Sequence, residues 1–124
     1  MAYASWGPAT ASHVVFCVHG LTRQGRDFDL LAQALVAAAE AAQLPPVRVI
    51  CPDVVGRGRS DWLTDPMAYQ FPQYASDMAV LIQSLNSQHP IQRLDWVGTS
   101  MGGVIGMLLA AQELPVPIRN LVLN

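Results

Sequence analysis

Gly98-Thr99-Ser100-Met101-Gly102-Gly103 is the stretch whose reading decides the fold. An apolar run, Leu94-Asp95-Trp96-Val97, leads into it, and a small-residue run, Val104 to Ala111, leaves it. A serine flanked by glycines at a strand-to-helix corner reads as a nucleophile elbow. A serine hydroxyl is a weak nucleophile, so it must stand on a sharp turn to meet both a base and a substrate carbonyl. Such a turn crowds the positions two residues either side, and glycine there removes the Cβ clash. The Met101 amide, in the first turn of the helix, then points at a developing oxyanion. The competing reading is a tight strand–helix turn without chemistry. A dinucleotide-binding turn is disfavoured, because the spacing is G-x-x-x-G-G and no acidic residue ends a following strand.

Working outward, short apolar runs alternate with helical patterns. His13 to Val18 and Val47 to Cys51 are β-branched and continuous, as expected of strands buried on both faces. Leu94 to Val97 and Asn120 to Leu123 are two more, and Tyr3 to Trp6 is a candidate edge strand. Between them, Phe28 to Gln43, Pro72 to Leu85 and Met101 to Glu113 carry apolar residues at helical spacing, with Asp27 as a candidate cap for the first. Strands separated by such helices predict right-handed crossovers and a mostly parallel sheet with helices on both faces, an α/β fold in three layers. Pro52 to Phe71 is a long aperiodic loop rich in Gly, Asp and Pro, a type that is often functional.

The 124 residues fit one domain. Hydrophobic residues make up 52% and charged residues 13%, which favours a well-buried core over disorder. A net charge of −2 gives no electrostatic footprint for nucleic acid. Cys17 and Cys51 sit in apolar runs and read as buried free thiols in preference to a bridge, which points to a reducing, cytoplasmic compartment. No apolar run reaches the roughly 18 residues of a bilayer span, so no membrane association is expected. Cys17, Cys51, His13 and His19 lack compact ligand spacing, so no zinc site is expected, and chemistry at a serine nucleophile needs no cofactor.

In an open parallel sheet, ligands bind beyond the carboxyl ends of the strands. Ser100, His19-Gly20-Leu21 and Asp53 pass that filter, whereas His13, His89 and Asp95 begin strands and fail it. His19 is either a base or, preferably, a brace that turns the Leu21 amide toward the pocket. Asp53 is either a triad acid or, preferably, an acceptor for backbone amides of its own loop. Asp77 lies in a helix and reads as a solvated or capping residue. Arg57 and Arg59 could meet a substrate carboxylate, although a plain surface role is preferred. Trp62, Tyr69 and Phe71 either line an apolar pocket or anchor the loop to the core.

His19-Gly20-Leu21-Thr22, Pro52-Asp53-Val54-Val55-Gly56-Arg57-Gly58-Arg59-Ser60 and Gly98-Thr99-Ser100-Met101-Gly102-Gly103 together resemble three successive signatures of the α/β-hydrolase fold superfamily. Tyr3-Ala4-Ser5-Trp6-Gly7 resembles that family's second strand and its exit, so the likeness covers nearly the whole chain. It implies Ser100 as nucleophile and the amides of Leu21 and Met101 as oxyanion donors. Serine at the elbow, where other branches carry aspartate, sets the chain apart from the dehalogenases and epoxide hydrolases.

Family order places an acid and then a histidine after the serine. The 24 residues that follow Ser100 hold neither aspartate nor histidine, and their one carboxylate, Glu113, points to the wrong edge. The chain is therefore expected to be the N-terminal half of a hydrolase domain, ending on about the family's sixth strand. Its last strand would leave an uncovered edge that invites another chain. The expected function is a serine hydrolase of carboxylic esters or related acyl compounds. Histidine and acid would come from further sequence or a second chain. The alternatives are an acyltransferase of the same fold and a non-catalytic fragment or assembly subunit.

Overall fold

Val49, Ile50, Cys51, Phe16, Cys17 and Val18 are almost wholly shielded from solvent, as continuous apolar strands require when both sheet faces are covered. The computed structural model describes residues 1–65, 67 and 70–124. Its elements, in chain order, are β1 (Tyr3–Trp6), β2 (His13–Val18), a 3-10 turn (Gly25–Phe28), α1 (Asp29–Ala41), β3 (Val47–Pro52), α2 (Phe71–Gln88), β4 (Arg93–Gly98), α3 (Met101–Ala110) and β5 (Ile118–Leu123).

The five strands form one sheet in the order β1-β3-β2-β4-β5. β3, β2, β4 and β5 run parallel, and β1 pairs antiparallel with β3 at the edge. Val14, Phe16 and Val18 face one core with Met78 of α2 and Ile105 of α3. Val15 and Cys17 face the opposite one, with Phe28 and with Ala32 of α1. This is the expected three-layer arrangement. Trp96 of β4 stacks on Phe16 with ring centroids 5.5 Å apart. The order also creates a switch point. The chain leaves β2 toward β3 on one side and leaves β4 toward β5 on the other. The crevice between the carboxyl ends of β2 and β4 is where such sheets bind ligands.

Some local expectations change. Asp27 caps nothing: it lies inside the 3-10 turn, its carboxylate engaged by Arg23 Nε at 2.7 Å, and α1 starts at Asp29 without a side-chain cap. α3 stops at Ala110, three residues short of Glu113, and β5 starts two residues early, at Ile118. Trp62 neither anchors its loop nor lines a core pocket, since 79% of its surface is exposed. Phe71 packs edge-on against Tyr74 at the start of α2. Tyr69 lies outside the described residues. Cys17 and Cys51 are buried free thiols on neighbouring strands. The Cys17 thiol bonded to it, together with burial, pushes the Cys51 thiol pKa up and keeps it protonated. Val122 and Leu123 of β5 are more than half exposed on the far edge of the sheet. No helix among the described residues is long and apolar enough to cross a membrane.

Candidate active site

Ser100 is the hinge between β4 and α3, and its backbone is unusual: φ is 52° and ψ is −111°. A residue with a Cβ rarely adopts positive φ, and holding it there costs roughly 1–3 kcal/mol. The surroundings impose it. The Ser100 N–H donates to the Asn124 carbonyl at 2.9 Å, and the Ser100 carbonyl accepts from Gly103 N at 2.9 Å. Thr99 N donates to the Val18 carbonyl at 3.0 Å, which ties the turn to the end of β2.

The flanking glycines are sterically required. A Cβ on Gly98 would collide with the Gly103 amide, and one on Gly102 with the Val18 carbonyl. From below, Trp96 Nε1 donates to the Gly102 carbonyl at 2.9 Å. The side chain of Ser100 is left exposed, and its hydroxyl has no hydrogen-bond partner among the described residues.

The loop after β2 lies against this turn. A Cβ built on Gly20 would stand 3.7 Å from Ser100 Cβ. His19 is buried, and its ring is fully committed. Nε2 accepts the Val54 N–H at 3.0 Å, so the ring proton sits on Nδ1, which donates to the Gly20 carbonyl at 2.7 Å. Arg23 N donates to the same carbonyl at 3.2 Å. In a trans peptide the N–H points opposite the C=O, so pinning the Gly20 carbonyl also aims the Leu21 N–H. Neither the Leu21 nor the Met101 amide has a hydrogen-bond partner among the described residues. The Met101 amide is an unpaired donor of the first turn of α3.

Burial lowers the pKa of His19, an effect that the Gly20 carbonyl and the Asp53 charge only partly offset. A base whose folded value lies below its unfolded value of 6.5 binds fewer protons when folded. Its contribution to stability is then complete above that value and lost as pH falls below it. We expect the urea midpoint to decline below about pH 6.5, and His19→Gln to remove that part of the slope. Asp95 acts in a separate, more acidic window. Burial opposes its charge, but hydrogen bonds from His13 and Asn120 and the Arg93 guanidinium outweigh that and hold its pKa below 3.8. Its contribution fades only below that value.

Asp53 clasps loops together. Its carboxylate accepts from Arg59 N at 3.0 Å within its own loop, as preferred over an acid role, and also from Gly25 N at 2.8 Å in the turn after β2, a partner the sequence does not indicate. His13 pairs with Asp95 at 2.7 Å at the opposite, amino edge of the strands, as the strand-end filter requires. Asp77 is bonded within α2 by Gln73. Arg57 is the residue whose place the sequence did not indicate. It is neither a simple surface arginine nor open to solvent on all sides, because its guanidinium bonds Leu21, Val55 and Tyr74. Those partners are up to 36 residues distant, and no local pattern announces them. A cavity of about 510 Å³ is bordered by His19, Gly20, Arg23, Asn124 and Thr99, the residue that precedes Ser100.

A mostly parallel sheet with a positive-φ serine at its switch point defines a class, and comparison with known proteins gives the family. The chain belongs to the alpha/beta hydrolase fold family, whose model matches residues 13–124. It is 52% identical to the 3-hydroxybutyrate-oligomer hydrolase of Cupriavidus necator over the whole chain and 38% of that protein. It is 31% identical to lipase LipV of Mycobacterium tuberculosis, over 98% of the chain and 38% of the relative. An alpha/beta hydrolase from Novosphingobium aromaticivorans superposes with a TM-score of 0.67 at 39% identity, covering 88% of this chain and 34% of that one. The chain thus spans about 38% of the length of the curated relatives it matches.

Proposed function

We propose that these residues form the nucleophile-bearing part of a serine hydrolase acting on carboxylic esters. One observation carries the reading. Ser100 is held at positive φ on an exposed turn with a free hydroxyl, beside a loop whose Leu21 amide has no partner. In this mechanism Ser100 Oγ attacks the ester carbonyl and its proton passes to a histidine. The carbonyl oxygen becomes an oxyanion that accepts from the Leu21 and Met101 N–H groups, each worth about 2.7–4 kcal/mol in the transition state. Collapse expels the alcohol and leaves an acyl group on Ser100, which water then removes.

The base is not among the three histidines: both His19 nitrogens are bonded, His13 lies at the other edge, and His89 ends α2 ahead of the amino end of β4. Histidine and acid therefore come from elsewhere in the fold or from a second chain. The 52% relative acts on 3-hydroxybutyrate oligomers, so a short ester of a hydroxy acid is the substrate class we favour. The free thiols of Cys17 and Cys51 suit a reducing, cytoplasmic compartment.

The test is covalent labelling of the polypeptide that carries these residues. A fluorophosphonate should modify Ser100, and Ser100→Ala should abolish the label. An unlabelled wild-type protein that also fails to cleave hydroxybutyrate esters would favour the inert, structural reading.

A further inference from the structure

We propose that Arg57 is a positioning residue for the oxyanion loop, an inference that rests on the serine hydrolase reading above. Two peptide planes flank the Leu21 Cα. The first, between Gly20 and Leu21, carries the proposed donor N–H and is pinned through its carbonyl by His19 and Arg23. That leaves the second plane free to rotate, and a loop hinged on one plane can still swing its donor. Arg57 fixes the second plane: its Nε donates to the Leu21 carbonyl at 3.0 Å.

The guanidinium is itself held. Nη1 donates to the Val55 carbonyl at 3.0 Å and to the Tyr74 hydroxyl at 3.1 Å, and its carbon lies 5.1 Å from the Tyr74 ring centroid. Tyr74 is buried in α2, so the clamp transmits the position of the rigid core to an exposed loop. A planar fork reaches these three partners from two separate, fixed nitrogens, whereas a lysine ammonium gathers its donors on one atom at the end of a flexible stem. Gly56 and Gly58, both at positive φ, turn the chain on either side of Arg57.

The test uses the polypeptide that carries these residues with Arg57→Met and Arg57→Lys, and fluorophosphonate titration to count reactive Ser100. Turnover is measured per titrated serine on a neutral ester, p-nitrophenyl butyrate, and on an anionic one, a p-nitrophenyl hemiester of a dicarboxylic acid. We expect kcat per site to fall about 10- to 100-fold in both variants and on both esters, with KM within about twofold. Affinity for a trifluoromethyl ketone, whose adduct carries the oxyanion, should fall by the same factor as kcat.

A purely structural arginine would lower the titrated fraction and the melting temperature but leave kcat per titrated site unchanged, which would overturn the proposal. Full activity in Arg57→Lys would overturn it too, since that variant keeps the charge but loses the fixed fork that spans the three partners. So would a loss confined to the anionic ester, which would make Arg57 a substrate-carboxylate contact. An unlabelled, inactive wild-type protein would instead refute the underlying hydrolase reading.

Discussion

Ser100→Ala is expected to lower ester hydrolysis by roughly 10^5-fold or more in the polypeptide that carries these residues, with no loss of folding. The side chain is exposed and its hydroxyl has no partner among the described residues, so no internal hydrogen bond is forfeited. The effect should fall on kcat, because in the proposed mechanism the hydroxyl acts in bond formation and not in holding the substrate. Ser100→Gly sharpens the result. Glycine adopts φ near 52° without the Cβ penalty, so this variant should be equally inactive yet more stable by about 1 kcal/mol. A gain in stability coupled to loss of turnover is the signature of strain kept for function. Urea midpoints and initial rates measured on the same preparations check both halves. Substantial residual activity in either variant would remove Ser100 from the chemistry.

Trp96→Ala is expected to be strongly destabilising. The indole is wholly buried, stacks on Phe16 and donates to the Gly102 carbonyl. Truncating a buried tryptophan costs about 3–5 kcal/mol in lost contacts and cavity. The stranded carbonyl adds a further penalty of about 1–3 kcal/mol. Domains are stable by only about 5–15 kcal/mol, so this variant should lose a large share of its stability and melt far below the wild type. Trp96→Phe separates the two contributions: it retains most of the ring packing and loses the bond. We expect it to fold with a urea midpoint lowered by the equivalent of about 1–3 kcal/mol. Because the bond holds the first turn of α3 beneath Ser100, this variant should also lose turnover. Equal stability of Trp96→Ala and wild type would show that the indole is not part of the core.

Much of this architecture is legible in local patterns. Val-Val-Phe-Cys-Val at 14–18 and Val-Arg-Val-Ile-Cys at 47–51 read as strands covered on both faces, and they are. Glycines two residues either side of Ser100 indicate a corner where backbones touch, and the Gly98 and Gly102 contacts bear this out. The preference for His19 as brace and Asp53 as loop acceptor also holds, because both sit one step beyond a strand, where backbone groups need partners. Asp27 and Trp62 misled. A residue just before a helical run is a cap only if the turn ahead leaves its carboxylate free, and Arg23 takes it. An aromatic in a long loop anchors that loop only if the core comes within reach, and nothing local says whether it does.

Hydrophobic period and small-residue spacing thus determined the fold class, the strands, the switch from strand to helix and the serine at that switch, because each depends on residues within a few positions of one another. Strand order, the crevice between β2 and β4, the Asn124 carbonyl holding Ser100 and the Arg57 clamp on Leu21 were decided only in three dimensions. These join groups 24 to 36 residues apart along the chain, for Asn124 and Ser100 by their numbering and for Arg57 and Leu21 by their separation. No short-range preference encodes such a contact, since its cost in chain entropy is repaid only when the sheet has already assembled.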